Sequence, residues 1–329
     1  MPVRTDPVVV SGAAGFVGYH VAKRLLERGE GVIGIDVFND YYAVSLKEAR
    51  AGRLEKFANF RMERMDFANA PALRTLVRDE GVMRMVHLGA QAGVRYSIEN
   101  PFAYQHSNLQ GHLSVLEACR DNSRFEHLVY ASSSSVYGNR PGSGAAFTET
   151  DRVDSPVSLY AATKRSCELM SSTYAHLYGL KQSGLRFFTV YGPWGRPDMA
   201  YYSFTRKIFL GEPIEVYGEG RMRRDFTFID DIVDGIIGVL DRPPPEAENR
   251  ILNIGNDSPE DLLTFIEIIE QAVGRKAKKI MLPMQPGDVT STWADISKIR
   301  SITGYRPKVR LAEGIPQFVN WYRDYYPVA

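Results

Sequence analysis

Only two cysteines occur in the 329 residues, Cys119 and Cys167, far apart and in no C-x-x-C spacing. That excludes a disulfide framework and a thiolate metal site and leaves buried spectator thiols as the plain reading. Charge of one sign is lacking too: 40 basic side chains face 39 acidic ones, a formal net charge of +1. No global field draws the chain to nucleic acid or to an anionic membrane, so an anionic ligand must be held by local chemistry. No apolar run approaches the roughly 20 residues that span a bilayer, and Met1 to Pro7 lacks the basic-then-apolar layout of a signal peptide. The expected location is the cytoplasm. Neither an internal repeat, nor a low-complexity tract, nor a metal-ligand cluster stands out.

What is present is length enough for one large domain plus a smaller one. Pro7 to Val10 is an apolar run ending in Ser11-Gly12, and Phe16 to Leu26 carries helical spacing up to Arg28-Gly29. This predicts a strand, a tight turn and a helix. Gly31 to Asp36 reads as a second buried strand, completing a βαβ unit. Further strands are expected at Met85 to Leu88, Leu128 to Ala131 and Leu185 to Val190, separated by helix-like segments. Such alternation predicts an α/β fold, a doubly wound parallel sheet of Rossmann type. After Pro193 turns multiply at 195–198 and 218–220, and Pro243-Pro244-Pro245 punctuates a helix end. The expected division is a Rossmann domain over 1–190 and a smaller C-terminal α+β cap over 191–329. Part of the latter, about 226–256 with a late strand at Ile251 to Gly255, returns to the sheet.

The first turn carries Gly12, Gly15 and Gly18, with Phe16 and Val17 inside the motif. Small residues at the start of a helix let the backbone approach a pyrophosphate. The spacing is G-x-x-G-x-x-G, and the strand before it and Asp36 ending the next strand supply the context for a dinucleotide site. A carboxylate at Asp36 accepts from ribose hydroxyls and repels a 2′-phosphate, which favours NAD over NADP. A packing turn with Asp36 as a cap is the structural alternative. Asp66-Phe67 follows a third strand-like stretch, where the carboxylate would meet an adenine amino group or simply cap a turn. At Gly89-Ala90-Gln91-Ala92, small side chains permit close passage of a dinucleotide or form a plain loop.

Tyr160-Ala-Ala-Thr-Lys164 sets a phenol and an ammonium four apart on one helical face, where the positive charge favours the phenolate. Tyr160 is then a candidate general base. Upstream, Ser132 to Ser135 follows a strand at the carboxyl edge of the expected sheet, where ligands bind, and one hydroxyl can share a substrate hydroxyl with the phenol. Each pattern alone is common on helix surfaces and in loops. Together, downstream of a dinucleotide motif, they point to one catalytic site.

These residues resemble the extended short-chain dehydrogenase/reductase family, from about Val8 to the C-terminal region. The resemblance implies NAD on the glycine motif, Tyr160 as base, Lys164 on the nicotinamide ribose and Ser133 assisting. Nucleotide-sugar 4-epimerases are the most similar members, through Arg186 to Pro193, Tyr217 to Gly220 with Arg224 to Phe226, and Gln285 to Asp288. By that analogy Tyr217 would stack on uracil, Arg224 would pair with the diphosphate, and Gln285 and Asp288 would hold the uridine ribose. The stretches 89–97, which contains Arg95, and 189–199 resemble the UDP-glucuronate 4-epimerase branch.

The implied substrate is therefore UDP-glucuronic acid, converted to UDP-galacturonic acid through a 4-keto sugar. Its carboxylate would meet Arg196, with Thr189, Ser133, Ser134 and Arg95 in the same substrate set. A surface pair between Arg196 and Asp198 is the structural alternative. Ser134 and Ser135 occupy the places where related dehydratases and decarboxylases carry acidic residues, which disfavours elimination and decarboxylation. The competing readings are a 4-epimerase of neutral or N-acetylated UDP-hexoses and a non-catalytic NAD-sensing protein. The helical segments at Gln110 to Cys119 and Tyr160 to Tyr178 mix apolar and exposed-looking residues, so a homodimer and a buried monomeric face both stay open.

Overall fold

The computed structural model describes residues 6–139, 145–284 and 291–327. Strand and helix alternate from the start: β1 (Val8–Ser11), α1 (Phe16–Glu27), β2 (Val32–Asp36), α2 (Val44–Leu54), β3 (Phe60–Arg64), α3 (Ala70–Asp79) and β4 (Arg84–His87). Two single-turn helices, α4 (Tyr96–Glu99) and α5 (Pro101–Tyr104), lead into α6 (Gly111–Arg120), β5 (His127–Ser133), α7 (Leu159–Tyr178) and β6 (Gln182–Phe187). Then come β7 (Thr189–Tyr191), α8 (Ala200–Leu210), β8 (Pro213–Tyr217), β9 (Arg223–Phe228), α9 (Ile229–Leu240) and β10 (Asn249–Ile254). The described chain finishes with β11 (Pro259–Asp261), α10 (Leu262–Val273), β12 (Lys278–Leu282), β13 (Ser291–Thr292), α11 (Ser297–Thr303) and α12 (Leu311–Tyr325).

Seven strands form one parallel sheet in the order β10-β6-β5-β4-β1-β2-β3. Val8, Val9 and Val10 explain why helices cover both faces. Val8 and Val10 pack with α1 and α9 through Leu25 and Ile232, while Val9 packs with α3 and α6 through Val77 and Leu116. Alternation along a pleated strand sends successive side chains to opposite faces, and burying each such valine stabilises by about 1.5–3 kcal/mol. The chain proceeds outward from β1 to β3, then returns to build β4, β5, β6 and β10 on the other side. This puts the topological switch point between β1 and β4, so a crevice opens at their carboxyl ends.

The apolar run Leu185 to Val190 is not one strand. β6 stays in the large sheet to Phe187, the Phe188 amide bonds Ile254 O at 3.3 Å, and β7 leaves to pair with β9. Hydropathy cannot register the break because Leu185, Phe188, Val190 and Tyr191 are buried on either side of it. β11 and β13 join β9, and β12 pairs with β8 in a separate two-stranded sheet. Thr189 of β7, Tyr217 of β8, Arg224 of β9 and Thr292 of β13 line the crevice.

Candidate active site

Two glycine-bearing turns meet at the switch point. Gly12 has φ +72°, and a Cβ there would lie 2.8 Å from the Gly89 amide nitrogen; on Gly18 it would lie 2.0 Å from Gly12 O. No side chain fits either position. Ser11 Oγ joins the turns, accepting from the Gly89 amide at 3.1 Å and bonding His87 Nδ1 at 2.6 Å. Helix α1 has no side-chain cap and no acidic residue in its first turn, so its amide end offers uncompensated positive potential. Asp36, 7% exposed, accepts from the Ala14 amide at 3.1 Å and the Phe38 amide at 2.9 Å. Its remaining lone pairs suit ribose hydroxyls. Cradle, helix end and acceptor together fit a dinucleotide.

Gly15, Phe16, Val17, Phe67, Ala90, Gln91 and Ala92 line the same crevice. Asp66 does not. Its Oδ1 accepts from the Ala68 amide at 2.8 Å and its Oδ2 meets His106 Nε2 at 2.7 Å, the turn-capping use of an aspartate.

Ser133 ends β5, Tyr160 stands in the first turn of α7, and Lys164 follows one turn later. Ser158 caps the helix by accepting from the Ala161 amide at 3.1 Å, which fixes where Tyr160 emerges. Lys164, 5% exposed, donates to Ala131 O at 2.9 Å and so pins α7 to β5. Ser133 Oγ accepts from both the Ser135 amide, at 3.2 Å, and the Ser135 hydroxyl, at 2.9 Å. Its own proton is thereby directed outward as a donor. Ser133, Tyr160 and Lys164 line one cleft of about 960 Å³ together with Gly12, Asp36 and Ser134.

The far wall of this cleft carries Thr189, Arg196, Tyr217 and Arg224, with Arg95 reaching across from the loop after β4. The Arg95 guanidinium sits 5.0 Å from the centre of the Tyr217 ring, covering one face. Arg196 donates from Nε to Asp198 Oδ1 at 3.0 Å and from Nη2 to Oδ2 at 2.5 Å. It is thus both a cleft residue and the partner of Asp198. Gln285 and Asp288 lie outside the described residues.

A family model for the NAD dependent epimerase/dehydratase family matches residues 8–255. The chain belongs to this family. It is 45% identical over 335 residues to a probable UDP-glucuronate 4-epimerase of Rhizobium meliloti, covering 97% of each chain. It is 47% identical over 333 residues to UDP-glucuronate 4-epimerase 1 of Arabidopsis thaliana, covering 97% of this chain and 77% of that one. Among solved structures it resembles the UDP-glucuronic acid 4-epimerase of Bacillus cereus in complex with UDP-glucuronic acid and NAD. There the TM-score is 0.90 at 33% identity, over 97% of this chain and all of that one.

In this epimerase-family site two α2 residues escape sequence reasoning. Lys47, 5% exposed, lines the cleft and donates to Asn39 O at 2.7 Å; burial pushes its pKa down, against the opposing charge of Asp36. Arg50 is fully buried. It donates to Ala14 O at 2.9 Å, Trp194 O at 2.7 Å and Gly195 O at 2.9 Å, tying the glycine turn to the loop that carries Arg196. Trp194 is held at φ +61° in that loop, a left-handed backbone that Arg50 secures. Backbone carbonyls leave no side-chain signature, so no sequence signal points to Arg50.

Both thiols are buried, and burial pushes them up, Cys167 to about 11. Among the described residues no group of three His, Cys, Asp or Glu side chains is placed to hold a metal.

Proposed function

We propose that this chain is an NAD-dependent UDP-glucuronate 4-epimerase that interconverts UDP-glucuronic and UDP-galacturonic acid. The observation that carries the reading is the convergence of Ser133, Tyr160 and Lys164 with Arg196 in the cleft that opens from the glycine cradle. The likeness to UDP-glucuronate 4-epimerases over nearly the whole chain supports the choice of sugar.

The 12–18 turn, Asp36 and the 89–92 segment would hold NAD, which when bound supplies a reversible hydride acceptor at C4 of the sugar. Tyr160 takes the C4 hydroxyl proton and later returns it, while Ser133 donates to the same oxygen. Lys164, fixed on Ala131 O, keeps a positive charge beside the phenolate. Arg224 and Tyr217 hold the nucleotide end, so that the keto-sugar ring can turn about the diphosphate linkage and present its opposite face. Arg196, Thr189 and the serine hydroxyls hold the uronate carboxylate. The 134 and 135 positions, both on the cleft, carry hydroxyls and no carboxylate that could shuttle a proton at C5. The keto acid is thereby kept from elimination.

Leu113 on α6, with Leu169 and Leu177 on α7, is at least 41% exposed, and we take these adjoining helices as the pairing face of a homodimer. No helix among the described residues is long and apolar enough to cross a membrane, and the proposed location is the cytoplasm.

The test is to supply purified protein with UDP-glucuronate, UDP-glucose and UDP-N-acetylglucosamine in separate reactions and resolve the epimers by NMR. Conversion of UDP-glucuronate well above the other two is expected. Equal or exclusive conversion of a neutral sugar overturns the glucuronate assignment, and no conversion of any overturns the enzyme.

A further inference from the structure

The Arg196–Asp198 pair stands in the cleft wall, with the side chains 23% and 28% exposed. Its surroundings hold the backbone, while the two side chains bond chiefly to each other. Behind it, the Arg196 amide donates to the Tyr201 hydroxyl at 3.3 Å, and Arg50 grips the carbonyls of Trp194 and Gly195. In front, the Tyr41 hydroxyl donates to Asp198 Oδ2 at 3.2 Å from the loop after β2, across the cleft. Asp198 therefore presents the guanidinium with a fork-on-fork carboxylate, the same shape and charge as a uronate.

A problem in the proposed reaction gives this pair a use. When the keto ring turns over, its C5 carboxylate must leave the place where Arg196 holds it. A partly buried guanidinium stripped of its counter-ion is costly, and the cost would fall on the turning step. A second carboxylate within reach removes it.

We infer that Asp198 is a positioning residue that exchanges Arg196 with the substrate carboxylate. It holds the guanidinium before the sugar arrives, yields it as the uronate docks, and takes it back while the ring turns. The inference rests on the UDP-glucuronate reading. For a neutral sugar no carboxylate competes, and the pair stays closed throughout. The exchange also bears on selectivity, because only an anionic sugar gains contact with Arg196.

The experiment uses the NAD-loaded protein and its Asp198→Asn, Asp198→Glu and Tyr41→Phe variants with UDP-glucuronate and UDP-glucose. Asp198→Asn leaves Arg196 without a competitor. The KM for UDP-glucuronate is expected to fall roughly tenfold and kcat to fall roughly tenfold, the scale of a charged hydrogen bond gained at rest and missed during the turn. The reduced-nicotinamide absorbance should rise in the steady state as keto sugar waits to turn. UDP-glucose binding should be unchanged, Asp198→Glu should restore kcat, and Tyr41→Phe should fall between Asp198→Asn and wild type. If wild type epimerises UDP-glucuronate while Asp198→Asn keeps its KM, kcat and absorbance, the exchange is wrong and the epimerase reading stands. A raised KM with a lowered kcat also overturns it, since that is the mark of a residue that only holds the loop. Failure of wild type to act on UDP-glucuronate overturns both.

Discussion

Arg186 donates to Glu168 through two parallel bonds, Nε to Oε1 at 2.8 Å and Nη2 to Oε2 at 2.9 Å, and both side chains are buried beneath the serine segment. Ser132 Oγ donates to the same Oε1 at 2.6 Å. Burial works against the Glu168 charge, yet the bonds and charge of Arg186 hold its carboxyl below the ordinary range. Glu168→Gln leaves a buried guanidinium uncompensated and is expected to cost about 3–5 kcal/mol, while the double change Glu168→Leu, Arg186→Met costs far less. Denaturant melts of wild type, single and double variants measure the difference.

Gly18→Ala would set a methyl group 2.0 Å from Gly12 O, a clash with backbone that no rotamer relieves. Displacement of the turn should lower turnover by roughly a hundredfold and strip NAD from the purified protein. Gly52→Ala is the control. Nothing lies within 4 Å of a Cβ there, and in the last turn of α2 the change should stabilise by up to about 0.5 kcal/mol with NAD content intact. Nicotinamide content per chain and a thermal melt decide both.

Tyr160→Phe removes the proposed base and little else, since the residue is partly exposed at the start of α7. Turnover should drop by roughly 10²–10⁴-fold with NAD binding retained. Lys164→Met should combine a comparable loss with weaker folding, because the Ala131 O bond goes too. Substrate conversion measured beside nicotinamide content separates the two effects.

Three histidines with depressed pKa predict acid sensitivity. Burial lowers His20 and His112 to about 3 and His127 to about 4, each from 6.5. Every folded value lies below the unfolded one, so the neutral form is what the fold accepts. Their contribution is present above pH 6.5 and is lost as pH falls toward the folded values. Within that window each histidine should remove about 1.4 kcal/mol of stability per pH unit. Melts between about pH 7 and about pH 5 test this, and His127→Gln should flatten the slope.

Much of the site was legible because the sequence places its parts by local rules. The glycine spacing, Asp36 at a strand end and Tyr160 four before Lys164 each follow from one element's periodicity. At Asp66 the sequence leaves an adenine contact and a turn cap both open; the fold shows the cap on the Ala68 amide and brings His106, 40 residues away, onto the second oxygen. Arg196 lines the cleft and at the same time pairs with Asp198, a placement that its local sequence does not decide.

The sequence by itself determined the parallel βαβ core, the glycine cradle and the one-turn spacing of Tyr160 and Lys164, because those depend on hydrophobic period, chain stereochemistry and short spacing. Only the tertiary structure decided that Arg50 would join Ala14 to Trp194 and Gly195, and that Tyr41 would steady Asp198 from 157 residues away. The physical reason is that these bonds end on backbone carbonyls or cross the cleft between distant segments. Neither kind has a period, and both exist only once the sheet has brought its carboxyl edge and the far wall together.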